Sequence, residues 1–230
     1  MHERGVLSVV GTPIGNLGDI TLRALETLKD ADVIAAEDTR ITSKLLSRYD
    51  IKKPLLSYHA QSAVRAAERL LTLLGEGKRV ALVTDAGTPG ISDPGTELVA
   101  LARERLGDDV RIEALPGPSA LATALSIAGL PTASFLFLGF LPNKKGRQTL
   151  FKEIAQERRA IVLYESPHRI EKTLKALAES LSAKRRIALC RELTKLHEEV
   201  ISGSVLEVYQ ACLSGGFPAR GEFVIVIGPC

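Results

Sequence analysis

Residues 80–95 read VALVTDAGTPGISDPG. The first four are an apolar strand. It breaks at Thr84-Asp85 into a run with three glycines (Gly87, Gly90, Gly95) and two prolines (Pro89, Pro94), and a helical pattern resumes at Thr96. A strand, a glycine-rich turn and a helix place a ligand over the C-terminal edge of a parallel sheet. Glycine lets the backbone approach a ligand and adopt positive φ, and proline pre-sets the turns. Asp85, Thr88, Ser92 and Asp93 add short polar side chains at that edge. A plain strand-to-helix connection takes about 2–6 residues, whereas roughly a dozen are spent here on special backbone geometry, the mark of a functional loop.

The same grammar extends in both directions. Residues 6–10 read as a buried strand ending in GTPIGNLGD, and 21–28 as a helix with Leu22, Leu25 and Leu28 at helical spacing and Asp19 as its N-cap. Strand 33–36 ends in Glu37-Asp38-Thr39-Arg40 and is followed by helix 41–48. Strand 55–58 leads to amphipathic helix 62–74, closed by Gly75; helix 97–105 and strand 110–115 follow. This β-loop-α register predicts a mostly parallel sheet with helices on its faces, with 11–19, 37–40 and 85–95 on one edge. Pro116-Gly117-Pro118 interrupts the chain and divides an N-terminal α/β domain, 1–116, from a C-terminal one, 117–230.

The second half also alternates. It reads as helix 120–128, strand Phe135–Phe140, a basic loop 142–148, helix 149–158 and strand 161–164, which runs into Glu165-Ser166-Pro167-His168-Arg169. Helix 170–181, strand 187–189 ending in Arg191-Glu192-Leu193-Thr194-Lys195, strand 198–201, helix Val205–Leu213 and strand Phe223–Ile227 complete it.

With 45% hydrophobic and 25% charged residues, 230 residues suffice for a soluble protein with a sizeable core. The formal charge of +3 permits an acidic partner such as RNA without demanding one. Cys190, Cys212 and Cys230 show no CxxC spacing, and the scattered histidines form no metal motif. No signal peptide or membrane span is apparent, which makes a cytoplasmic location the expectation.

GTPIGNLGD is not G-x-G-x-x-G, no P-loop lysine follows either glycine loop, and no G-x-S-x-G elbow occurs. Glu37 to Arg40 fits a helix cap as well as a site. Lys144, Lys145 and Arg147 suit either a solvated loop or phosphate contacts. His168 beside Glu165 has the chemistry to titrate near neutral pH, although a surface histidine on a helix cap is commoner. Glu192, Glu198 and Glu199 read as charged surface.

Taken in order, VVGTPIGNLGDITLRALETL, AEDTR, TDAGTPGISDPG, LPGPSA, FLGFLP with its basic loop, YESPHR, CRELTK and GEFVIVI run across residues 6–228. Together they resemble the tetrapyrrole methylase superfamily, and within it the bacterial small-subunit ribosomal RNA cytidine 2′-O-methyltransferases. The DAGTPGISDPG and YESPHR stretches fit that branch, since tetrapyrrole-modifying members typically carry a different, GDP-type loop at Asp85-Ala86-Gly87. The resemblance implies two α/β domains with S-adenosylmethionine in the cleft between them, no metal, a homodimer, and small-subunit ribosomal RNA or the assembled small subunit as partner. It places the cofactor against Pro13, Asp85, Ala86, Gly87, Thr88, Ile91, Ser92, Asp93, Ser119, Ala120, Tyr164 and Glu222. A ribose hydroxyl must lose or share its proton to attack, and the candidate bases are Asp38, Glu165 and Lys195. A lysine needs a lowered pKa for that task. Arg40, Lys144, Arg147, His168, Arg169 and Arg191 are the candidates for contacting RNA. Two other readings compete: methylation of a tetrapyrrole carbon, and a non-catalytic RNA-binding module. Family members often continue past the last strand into a small helical tail. This chain ends at Cys230, a departure that touches the grip on RNA and not the methyltransferase core.

Overall fold

The computed structural model describes residues 4–59 and 63–230, with Ala63 described by its backbone alone. Contacts gather the chain into two units, Met1–Ser119 and Ala120–Cys230, so the division falls just beyond the Pro116 that marks it in the sequence.

The first unit holds strands β1 (Gly5–Val10), β2 (Val33–Ala36), β3 (Leu55–Ser57), β4 (Arg79–Val83) and β5 (Val110–Leu115). Its helices are α1 (Leu22–Asp30), α2 (Thr39–Arg48), α3 (Ala63–Gly75) and α4 (Thr96–Leu106). The strands are all parallel, in the order β3-β2-β4-β1-β5. Strands covered on both faces read as continuous apolar runs, and here alternate residues divide between two cores. Leu7, Val33, Ala35, Val80 and Leu82 pack with α3 and α4, while Val10, Ile34, Ala36, Ala81 and Val83 pack with α1 and α2. After β1 the chain leaves toward β2, and after β4 it leaves toward β5, on the other side of β1. Divergence of neighbouring connections opens a crevice at the C-terminal edge, where ligands bind in open α/β sheets.

Two helix starts differ from the sequence reading. Asp19 does not cap α1. It closes a tight turn, Leu17–Asp19, and extended Ile20 separates it from Thr21, whose Oγ1 accepts from Ala24 N at 3.1 Å. Helix α2 starts at Thr39, because the Asp38 carboxylate accepts from Arg40 N at 2.8 Å. The start of α3 expected at Ser62 lies outside the described residues.

The second unit contains α5 (Ala120–Ile127), β6 (Phe135–Phe140), α6 (Arg147–Gln156), β7 (Ala160–Glu165) and α7 (Ile170–Ser180). It continues with β8 (Arg186–Arg191), β9 (Glu199–Ser204), α8 (Val205–Leu213) and β10 (Phe223–Ile227). The sheet order is β6-β7-β10-β8-β9. Only β6 and β7 are parallel; β10 runs antiparallel to β7 and β8, and β8 antiparallel to β9. Strict strand–helix alternation therefore fails here, because residues 192–198 turn the chain straight back from β8 into β9. Helices α6, α7 and α8 cover one face through Phe151, Ile154, Leu174, Leu177 and Val208, and α5 packs against β10. Cys190 in β8 is fully buried, which pushes its thiol up to about 12. The basic loop is shorter than read, since α6 already begins at Arg147.

Candidate active site

In the first unit the strand-end loops are tied to one another. Thr12 and Gly87 exchange backbone hydrogen bonds of 2.8 and 3.0 Å, and Thr12 Oγ1 donates to Thr84 O at 3.1 Å. Thr88 Oγ1 donates to Pro118 O at 3.3 Å. Backbone meets backbone where Gly11 faces Gly117: a Cβ on Gly117 would lie 3.0 Å from Gly11 Cα and from Gly11 O. Gly117→Ala is therefore expected to destabilise the protein by about 1–3 kcal/mol, the usual cost of overpacking, measured by denaturant unfolding. A midpoint equal to that of the unsubstituted protein would show that these loops are free to separate.

The loop after β2 joins through acids. Asp85 Oδ1 accepts from Asp38 N at 3.0 Å, and Glu37 Oε2 accepts from Thr84 Oγ1 at 2.6 Å. Among the described residues none of Glu37, Asp85 and Asp93 has an ion-pair partner within 4.0 Å. Burial pushes the Asp93 carboxyl up to about 6, and the charges of Glu37 and Asp85 push the same way. Burial raises Asp85 as well. Asp38 is the opposite case, since hydrogen bonds from Arg40 hold it down at about 2. This edge thus holds three mutually repelling carboxyls on a rigid glycine–proline frame.

In the second unit the register brings the ends of β7 and β8 beside the start of β10: Phe223 pairs with both Glu165 and Arg191. Glu165 is 2% exposed and both its oxygens are engaged. One accepts from Ser166 N and Arg169 Nε at 2.8 and 2.7 Å, the other from Thr173 Oγ1 at 2.5 Å. Arg169 also donates to Leu141 O and Asn143 Oδ1. Arg147 donates to Thr173 Oγ1 and Pro142 O, with its guanidinium over the Phe151 ring. Arg191 is buried against Arg220 O and Glu199. These three arginines, candidates for RNA contact, hold loops and strand ends in the fold.

Lys195 donates to Glu192 Oε1 and Glu222 Oε2, both at 2.9 Å. Burial works to lower its pKa, but the two carboxylates outweigh it and the net shift is upward. A lysine base needs the reverse. Glu192, Glu198 and Glu199 are not mere charged surface: Glu192 spans to Glu222 N, Glu198 accepts from Thr194 N, and Glu199 pairs with Arg191. A Cβ on Gly221, at φ +87°, would collide with the Glu192 carboxylate. The loop also carries two non-glycine residues at positive φ, Glu192 and Thr194. The Thr194 hydroxyl is buried with no hydrogen-bond partner among the described residues.

The remaining sequence candidates divide by exposure. Pro13 and Gly87 are buried in the frame; Ala86, Ile91 and Ser92 are exposed, and Thr88 is half-buried. Ser119 and Ala120 are half-buried at the start of α5. Tyr164 stacks edge-on with Phe137 and Phe140. Arg40, Lys144 and His168 are exposed. Sequence reasoning passed over Thr12, Thr84, Gly117 and, as an acid of the cluster, Glu37. Their roles come from contacts with residues 30 or more positions away, such as Thr84 with Glu37 and Gly117 with Gly11, so only the shared strand-end position signalled them.

Comparison with known proteins accords with this arrangement. The family of tetrapyrrole (corrin/porphyrin) methylases matches residues 6–209. A protein of Thermotoga maritima named ribosomal RNA small subunit methyltransferase I is 48% identical over 203 residues, 88% of this chain and 90% of that protein. One of the same name from Synechocystis sp. is 48% identical over 224 residues, 97% of this chain and 78% of the relative. Among solved structures, a cobalt precorrin-4 methyltransferase superposes with TM-score 0.69 at 21% identity, covering 97% of this chain and 94% of that one; this shows the fold alone. A uroporphyrin-III C-methyltransferase of Thermus thermophilus gives TM-score 0.66 at 25% identity, covering 98% and 94%. The chain belongs to the tetrapyrrole methylase family, on the branch of the ribosomal RNA small subunit methyltransferases I, and is a methyltransferase.

Proposed function

We propose that the protein transfers the methyl group of S-adenosylmethionine to the ribose 2′-oxygen of a cytidine in the decoding region of small-subunit ribosomal RNA. The observation that carries this reading is the unpaired carboxyl cluster Glu37, Asp85 and Asp93 at the strand-end edge of a chain 48% identical to ribosomal RNA small subunit methyltransferases. The tetrapyrrole-modifying relatives stand much further away, at 20–25% identity.

The donor set fits the cofactor. S-adenosylmethionine carries a positive sulfonium and an ammonium, and a cation offsets the burial, and the smaller repulsion, that disfavour the ionised Asp93 and Asp85. When bound, the cofactor supplies a methyl group already activated for in-line displacement. The chain's part is alignment and the exclusion of water. Thr12, Thr84 and Gly117 fix the loops, and the carboxyls set a negative potential at the edge. We assign Asp38, Glu165 and Lys195 to holding the site: Asp38 is bound by Arg40, both Glu165 oxygens are engaged, and Lys195 stays protonated.

The test is transfer of labelled methyl from S-adenosylmethionine to small subunits lacking the modification, followed by mapping of the label. The expected product carries it on a cytidine 2′-oxygen. Label on a base, or methylation of a porphyrinogen without transfer to RNA, overturns the proposal. The proposal includes a homodimer, read from the mass in solution, and a place in the cytoplasm with the ribosomes. Among the described residues no helix is long and apolar enough to cross a membrane.

A further inference from the structure

Helix α2 starts at the acidic edge, with Asp38 as its cap, and runs away from it. Its sequence is TRITSKLLSR. Thr42, Leu45 and Leu46 are buried in the core beneath. Arg40, Ser43, Lys44, Ser47 and Arg48 are all exposed. Their spacing of i, i+3, i+4, i+7 and i+8 puts them on one face. That face therefore consists mainly of cations and hydroxyls, the side chains that contact nucleic-acid backbones, with the exposed Ile41 at its border.

The ordinary explanation is a solvated helix face, and its composition argues against that. α1, α3, α4, α6, α7 and α8 each carry at least one carboxylate. α5 carries no charge, and α2 alone is charged without an acid. A chain of net charge +3 has concentrated three cations of one sign along a single stripe. Among the described residues Lys44 and Arg48 have no ion pair; Arg40 rests on Asp38 with its side chain 86% exposed. Four residues of helix advance about 6 Å, so the cations form a ladder over roughly 12 Å, comparable to successive phosphates of one strand.

We infer that the Arg40–Lys44–Arg48 face of α2 is a track for the phosphates of the substrate RNA leading to the acidic edge. The inference rests on the proposed function, and it supplies cations where Arg147, Arg169 and Arg191 are taken up by the fold. Carboxyls at the edge repel the backbone, so a strand needs a positive approach beside them, and Arg40 next to Asp38 and Asp85 is the point of transition.

The experiment compares the unsubstituted protein with Lys44→Gln/Arg48→Gln in binding to small subunits across salt concentrations. A control, Arg103→Gln/Lys175→Gln, lies on helices that carry acids. Each lost phosphate contact lowers the slope of log affinity against log salt by about one. The double variant is expected to lose about two from that slope, with a higher KM for subunits. Its melting temperature and affinity for S-adenosylmethionine are expected to stay unchanged, since both side chains are exposed. The control is expected to keep its slope. An unchanged slope in the α2 variant overturns the inference and leaves the methyltransferase reading standing. Failure of the unsubstituted protein to methylate RNA overturns both. Loss of binding to anionic vesicles, with the RNA slope intact, assigns the face to a membrane surface and overturns it too.

Discussion

Glu165→Ala is expected to lower the free energy of unfolding by roughly 3–5 kcal/mol, the usual cost of removing one partner from a buried ion pair. Glu165 is 2% exposed and, among the described residues, is the only carboxylate bonded to Arg169, whose guanidinium also holds the loop after β6 through Leu141 O and Asn143. Thr173 links it to the buried Arg147. With alanine at 165, the guanidiniums of Arg147 and Arg169 lose the counter-charge between them, and the 142–146 loop loses the brace on its anchor. Glu165→Gln separates this structural role from proton transfer. Glutamine still accepts from Thr173, so it is expected to cost about 1–3 kcal/mol and to keep turnover well below its melting temperature. A Glu165→Gln protein with intact stability and no turnover would make Glu165 the base. Paired replacement of Glu165 and Arg169 by methionine is expected to recover part of the loss, because an apolar pair leaves no buried charge unmatched.

The contrast between what the sequence disclosed and what it hid has a physical origin. β1, β2 and β4 were legible because strands buried on both faces must be apolar throughout, and because glycine and proline mark their ends. β8 and β9 were legible as consecutive strands, but their antiparallel pairing was not, since the loop between them is held by Glu192, Lys195 and Glu222 across the sheet edge. The arginines were the hardest to place from sequence. A cation in a loop looks the same in sequence whether it meets solvent or, like Arg169, a carboxylate four residues away and a carbonyl 28 residues away. Asp38 had two readings from the outset, and the cap is the one the structure displays. The α2 face shows the reverse: its spacing was present in the sequence, but only the burial of Thr42, Leu45 and Leu46 singled out the exposed side.

Asp93→Asn is expected to stabilise the ligand-free protein at neutral pH while weakening its affinity for S-adenosylmethionine by about 10- to 100-fold, as for loss of a hydrogen bond to a charged group. Asp93 sits near 6 because burial and the charges of Glu37 and Asp85 disfavour its ionised form, against an ordinary value of 3.8. Between those values the native protein holds a proton that the unfolded chain has released. Stability therefore falls as pH rises through that window, and the burden is complete above it. Asparagine keeps the shape, removes the charge and abolishes this component of the pH dependence. The affinity of the unsubstituted protein for the cofactor is expected to have the opposite slope, rising as pH passes through about 6 and the carboxylate forms to meet the cation. In the variant that rise is expected to vanish. Calorimetric unfolding and cofactor titration from pH 4 to 8 check both halves. An Asp93→Asn protein that is less stable at neutral pH, or that binds the cofactor with the unsubstituted pH profile, would show that Asp93 serves the loop alone. A variant more stable yet weaker in binding would show that repulsion among these carboxyls is retained for a cationic ligand, at the expense of the empty fold.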